Sequence, residues 1–135
     1  TILLIAAALE PKDTLKLAEF AHSLSLEVLM EVHNQEELDR HLNPHLDLVG
    51  VNNRDLKTFD VSIETSKKLV ESIPDEFVKV SESGISAPET IMDLRQHGYN
   101  GFLIGQNFME HNRPERSCRE FIRRLRSLET RETKV

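Results

Sequence analysis

This sequence has no tryptophan, one tyrosine and one cysteine among its 135 residues. The lone cysteine, Cys118, excludes an internal disulfide framework and fits a reducing compartment, the cytoplasm. No apolar run reaches the length of a membrane span, and no signal peptide precedes the first apolar run. Positive charge is in deficit, with 17 Lys and Arg against 23 Asp and Glu, a net charge of -6. That balance argues against nonspecific binding to nucleic acid or an acidic membrane. Only five glycines occur, and none builds a glycine-rich turn after the first apolar run, which speaks against a dinucleotide-binding unit. The histidines have no metal-ligand spacing. His22, His41, His45, His97 and His111 read as surface or helix residues. His33 comes nearest to a site and is read as non-catalytic too. An initial methionine is also absent. The chain opens at Thr1 inside an apolar run, and so reads as a piece of something longer.

What is present alternates. Ile2 to Leu9, Glu27 to Val32, Leu46 to Val51, Phe77 to Val80 and Gly101 to Ile104 are short apolar runs, the pattern of buried parallel strands. Helical spacing separates them. Pro11 opens a helix with Leu17, Phe20, Ala21 and Leu24 on one face. Asn34 with Glu37, and Ser86 with Glu89, have the spacing of capping boxes. A helix carrying Ile63, Val70 and Ile73 follows the polar loop from Asn52 to Asp60. Gly98 stops the helix bearing Ile91 and Leu94. A short turn is expected at Gln106 to Met109. A last helix from Pro114 places Cys118, Phe121, Ile122, Leu125 and Leu128 on one face. Residues 1–128 form the domain, and 129–135 read as a polar, frayed tail.

Five strands that each return through a helix imply right-handed parallel βαβ units, an α/β fold. The spacing suits a TIM (β/α)8 barrel, although such a barrel needs about 250 residues and this chain supplies about half. An open doubly wound sheet fits the same pattern.

In either fold the chemistry sits at the C-terminal ends of the strands. The second strand ends at Glu31 and the third at Asn52, Asn53 and Arg54. The fourth ends at Glu82, Ser83 and Gly84, and the fifth at Gly105 and Gln106. Two carboxylates at one mouth can divide acid and base work if their surroundings differ. Arg54 offers a planar fork for carboxylate or phosphate. Gly84 and Gly105 would let backbone N–H groups approach a phosphate. Plainer readings stand beside these. Glu31 could serve only a helix dipole, Arg54 could pair with Asp55, and Gly84 could be a turn glycine. Cys118, Met30 and Met109 read as packing residues.

The runs Gly50-Val-Asn-Asn-Arg-Asp-Leu-Lys57 and Val80-Ser-Glu-Ser-Gly-Ile85, with Met30-Glu-Val-His33 and Gly101-Phe-Leu-Ile-Gly105, occur in an order that resembles the C-terminal part of the indole-3-glycerol phosphate synthase family. The resemblance implies strands four to eight of a (β/α)8 barrel, no metal and no organic cofactor. It implies a phosphorylated small-molecule substrate, 1-(2-carboxyphenylamino)-1-deoxyribulose 5-phosphate. This is closed, decarboxylated and dehydrated to indole-3-glycerol phosphate in tryptophan biosynthesis. Glu31 is then an acid–base residue. Asn52 and Arg54 hold the substrate, with Arg54 near its carboxylate. Glu82, counted with Glu31 and Asn52 in the catalytic set, contacts the ribulose hydroxyls together with Ser83. Gly84, Leu103 and Gly105 belong to the phosphate end. Gln106 stands where the family often has a small hydroxyl residue, so one contact there is lost. The family's catalytic lysines and a further glutamate lie on the first and third strands. A chain without those strands is expected to lack the general acid, and to self-associate or need the other half of the barrel. The rival readings are a non-catalytic phosphate-binding half-barrel and another phosphate-binding barrel enzyme. The Asn-Asn-Arg-Asp-Leu run speaks against a phosphoribosylanthranilate isomerase or a thiamin-phosphate synthase.

Overall fold

A computed structural model describes residues 1–133. Five strands form one parallel sheet in chain order: β1 (Ile2–Ile5), β2 (Val28–Val32), β3 (Leu48–Asn52), β4 (Val78–Glu82) and β5 (Gly101–Leu103). Helices α1 (Pro11–Ser23), α2 (Gln35–His41), α3 (Glu64–Leu69) and α4 (Pro88–Gln96) connect them. The short α5 (Gln106–Met109) and the long α6 (Pro114–Glu132) follow β5. Sequential parallel order with a helix at each crossover is the arrangement of a partial (β/α) barrel. The sheet ends in two edges, β1 and β5.

The register explains the layering. Leu29 pairs with Leu48, Glu31 with Gly50, Asn52 with Glu82, and Glu82 with Leu103. Side chains alternate along a strand, so these residues share one face. Their neighbours Val28, Met30, Val32, Val49 and Val51 fall on the other face, in one core with Ala18, Ala21, Leu38, Leu69 and Leu94. On the inner face, side chains fill space over glycines. Leu29 approaches Gly50, and Val80 lies over Gly101. Leu3, Val78 and Leu103 on that face stay 47%, 44% and 45% exposed.

Several local expectations change. β1 ends at Ile5, and Ala6–Ala8 forms a 3₁₀ turn, because an alanine run has little strand preference. α1 packs through its small residues Thr14, Ala18 and Ala21, while Leu17, Phe20 and Leu24 remain exposed. Close approach of helix to sheet selects small side chains there, whatever the apolar spacing suggests. Asn34 caps α2 as expected, accepting the Glu37 N–H at 2.9 Å. Glu37 reaches back one residue further than a capping box requires, to the His33 N–H at 2.8 Å. Ser86 does not cap α4. Ala87 is the N-cap and Pro88 opens the helix, where a proline costs no hydrogen bond. Gly98 takes φ +111° and closes α4. On α6, Phe121 is buried and Ile122 is 42% exposed. The helix continues to Glu132, so the expected tail is helical from Glu129 to Glu132. Lys134 and Val135 lie outside the described residues.

Candidate active site

A pocket of about 420 Å³ opens at the C-terminal end of the sheet. The residues expected there, Glu31, Asn52, Arg54, Glu82, Ser83, Gly84, Leu103, Gly105 and Gln106, all line it. The strand ends bring them together although they span 76 positions of chain, from 31 to 106.

Two carboxyls form the floor. Glu31 and Glu82 are 7% and 4% exposed. They lie on β2 and β4, with β3 between them. Gly50 of β3 makes their approach possible, because a Cβ at that position would collide with the Glu82 carboxyl. Glu82 Oε1 is buried and receives no hydrogen bond from a donor group among the described residues. Burial, then the neighbouring Glu31, pushes the Glu82 carboxyl up to about 8. A proton on Glu82 turns two repelling carboxylates into a donor and an acceptor. It also removes the orphaned oxygen.

Asn52 Oδ1 accepts the Arg54 N–H at 2.9 Å, which tightens the turn out of β3. The Arg54 guanidinium crosses to the Gln106 side-chain carbonyl. Gln106 in turn donates to Glu110 at 2.7 Å. Asp55 does not pair with Arg54. Its Oδ1 accepts the N–H groups of Lys57 and Thr58 at 2.7 and 3.0 Å. The Thr58 bond, then that of Lys57, holds the Asp55 carboxyl below its usual range. The loop closes through an antiparallel bridge from Arg54 to Val61.

The turn after β4 is strained. Ser83 and Gly84 have φ of +67° and +71°. Left-handed backbone costs a non-glycine residue about 1 kcal/mol. A Cβ at Gly84 would also meet the Val61 side chain. Gly105 is different. Open space surrounds its missing Cβ, and it directly precedes α5, whereas α4 starts four residues beyond Gly84.

Sequence reasoning missed the residue that secures this turn. Asn53 is 2% exposed and faces away from the mouth. It donates to Ser81 Oγ at 3.1 Å and to the Ser83 carbonyl at 3.0 Å. Its Oδ1 accepts the N–H and hydroxyl of Ser66 at 3.1 and 2.8 Å. Tyr99 extends the network, donating to the Ser66 carbonyl at 2.7 Å. Burial raises its phenol to about 12. Strand alternation was the available signal, since Asn52 and Asn53 must point to opposite faces. Leu3 and Asn107 also line the pocket without having been expected.

A parallel sheet with helical crossovers and a buried carboxyl pair at its C-terminal mouth defines part of a (β/α)-barrel enzyme. The family profile described as indole-3-glycerol phosphate synthase matches residues 1–121. The chain belongs to the indole-3-glycerol phosphate synthase family. It is 46% identical over 124 residues to the indole-3-glycerol phosphate synthase of Bacteroides thetaiotaomicron, covering 92% of this chain and 47% of that protein. The Caldanaerobacter subterraneus enzyme of the same name is 44% identical over 126 residues, 93% of this chain and 48% of its own length. The chain thus spans about half the length of the curated relatives it matches. Among solved structures, the Amycolatopsis orientalis BexX/CysO complex contains a chain that superposes with a TM-score of 0.54 at 16% identity. The match covers 78% of this chain and 43% of that one, a likeness of fold alone.

Proposed function

We propose that this chain forms the strand-four to strand-eight part of an indole-3-glycerol phosphate synthase. In a complete barrel it acts in the ring closure, decarboxylation and dehydration of 1-(2-carboxyphenylamino)-1-deoxyribulose 5-phosphate. The observation that carries this reading is the Glu31–Glu82 pair, which meets over Gly50 in a buried floor. Ring closure needs a protonated carbonyl, and dehydration needs a hydroxyl made into a leaving group. Both are proton transfers at a site closed to water. A buried carboxyl that keeps its proton, set beside a second carboxyl, is suited to that work.

Glu31 is the acid–base residue of this chain. Glu82 and Ser83 hold the ribulose hydroxyls, and Asn52 and Arg54 hold the anthranilate end. Backbone N–H groups around Gly84 and Gly105 take the phosphate, with Leu103 beside them. Gln106 adds a side chain to that end and already engages Arg54. Alone, the five strands lack the family's lysine general acid and are inactive or nearly so. The chain works in the cytoplasm, where Cys118 stays reduced.

The test is kinetic. In a barrel completed by the missing βα units, Glu31→Gln lowers kcat by about a hundredfold or more, the scale of a proton-transfer group. Glu82→Gln lowers the rate as well, through substrate positioning. Full kcat at saturating substrate in Glu31→Gln refutes the assignment.

A further inference from the structure

His33 follows Glu31 by two residues, so strand alternation returns its side chain towards the face that Glu31 occupies. Its imidazole is only 10% exposed. One carboxylate oxygen, Glu37 Oε2, accepts both the His33 backbone N–H at 2.8 Å and ring Nδ1 at 3.1 Å. A carboxylate oxygen can only accept, so Nδ1 must carry the hydrogen. The remaining nitrogen, Nε2, lies 3.6 Å from Glu31 Oε2. It is buried and has no hydrogen-bond partner among the described residues. The ring is therefore anchored at one end and aimed, unsatisfied, at the acid–base carboxyl from the other.

We propose that His33 is the positioning residue of Glu31, and that the two share one exchangeable proton. This rests on the acid–base role given to Glu31 above. With Nδ1–H committed to Glu37, neutral His33 presents a lone pair on Nε2. A protonated Glu31 donates to it. When the proton crosses, the Glu31 O–H bond breaks, an Nε2–H bond forms, and the imidazolium lies between two carboxylates. No proton is gained or lost in the exchange. The 3.6 Å separation shortens when substrate packs on Glu31, as catalytic contacts commonly tighten on binding. Every charged group facing the ring enters the balance. Glu31 comes from β2 and Glu37 from α2. Arg54, Asp55 and Asp60 come from the loop after β3, and line the same cleft as His33. Glu82 stands behind Glu31. A carboxylate–imidazole–carboxylate line fixes the ring tautomer and the Glu31 rotamer together.

The experiment uses the completed barrel, with this chain carrying ¹⁵N-histidine. The neutral His33 ring is expected as the Nδ1–H tautomer, a preference that Glu37→Ala removes along with the acceptor. His33→Asn lowers kcat about tenfold, changes KM less than about twofold, and shifts one limb of the kcat–pH profile. Glu37→Gln, which keeps the ring, shifts the same limb with a smaller fall. An Nε2–H ring in the unmodified protein overturns the proposal. So does His33→Asn with unchanged kcat and pH profile while Glu31→Gln is inactive. If Glu31→Gln itself keeps full kcat, the acid–base assignment has failed, and this proposal fails with it. Should His33→Asn not fold, the tautomer and Glu37→Gln arms decide.

Discussion

The side-chain amide of Asn53 donates to the carbonyl of Ser83 at 3.0 Å, and so holds a residue with φ +67° from behind the sheet. Asn53 spends both amide hydrogens and both acceptor positions inside the protein. Asn53→Ala would leave the Ser66 N–H and the Ser83 carbonyl short of partners. We expect a loss of about 2–4 kcal/mol, the range for breaking a buried polar network. Urea unfolding measures it. A change below about 0.5 kcal/mol would show that the network is replaceable by water.

Gly50→Ala tests the carboxyl pair without removing either carboxyl. The new methyl displaces the end of the flexible Glu82 side chain, with Leu29 close on the other side. The fold should survive with a loss of about 1–3 kcal/mol, typical of overpacking. Activity of the completed barrel should fall by a larger factor than stability alone accounts for. Equal kcat in Gly50→Ala and the parent would mean that Glu82 needs no fixed position.

Stability should respond to pH at two buried groups with opposite signs. The Glu82 carboxyl holds its proton in the folded chain up to about 8, against an ordinary 4.5. Its contribution is present below 4.5 and is lost as pH rises towards 8. His41 shares a 2.9 Å hydrogen bond with Thr14. Burial first, then Arg40, pulls its imidazole below the ordinary 6.5, against opposing pulls from Glu37 and Glu10. Folding favours the neutral ring, so its contribution is present above 6.5 and is lost as pH falls through the folded value. Glu82→Gln should flatten the alkaline loss by about 1 kcal/mol or more, and His41→Gln should flatten the acid loss. Denaturant midpoints between pH 4 and 9 (a range chosen to span both groups) supply the measurement. A parallel profile for Glu82→Gln and the parent contradicts the first half.

The isolated chain should associate. β1 and β5 are open edges, and Leu3, Val78 and Leu103 leave apolar surface on the inner face. Phe20 on α1 and Leu24 at its C-cap are 63% and 57% exposed. Open edges and apolar patches favour pairing with another copy. Light scattering at micromolar concentration should find dimers or larger species, reduced when the missing βα units are supplied. A monodisperse monomer with a cooperative melt contradicts this.

The strand ends were legible because a buried parallel strand is a short apolar run, and polar residues after it mark the mouth. Glu31, Asn52 and Glu82 could be placed on that basis alone. The helix faces were less legible. Leu17, Phe20 and Leu24 share a stripe with Ala21, yet only the small residue meets the sheet, since spacing carries no information on how closely two elements approach. The orientation of His33 was illegible for a related reason. It depends on Glu37, which belongs to the next helix and holds the ring through Nδ1.

The neighbours Asn52 and Asn53 have identical side chains and unrelated tasks. One faces the pocket and braces the Arg54 turn, and the other is sealed behind the sheet. Exchanging the two residues would alter nothing in the text of the protein. Sliding β3 by one place would invert every inward and outward position on it, and would put Asn53 or Val51 where Asn52 now faces the pocket. Substitutions at the two positions should therefore separate cleanly in a mutational scan. Those at 52 would be read out in turnover, and those at 53 in the yield of folded protein.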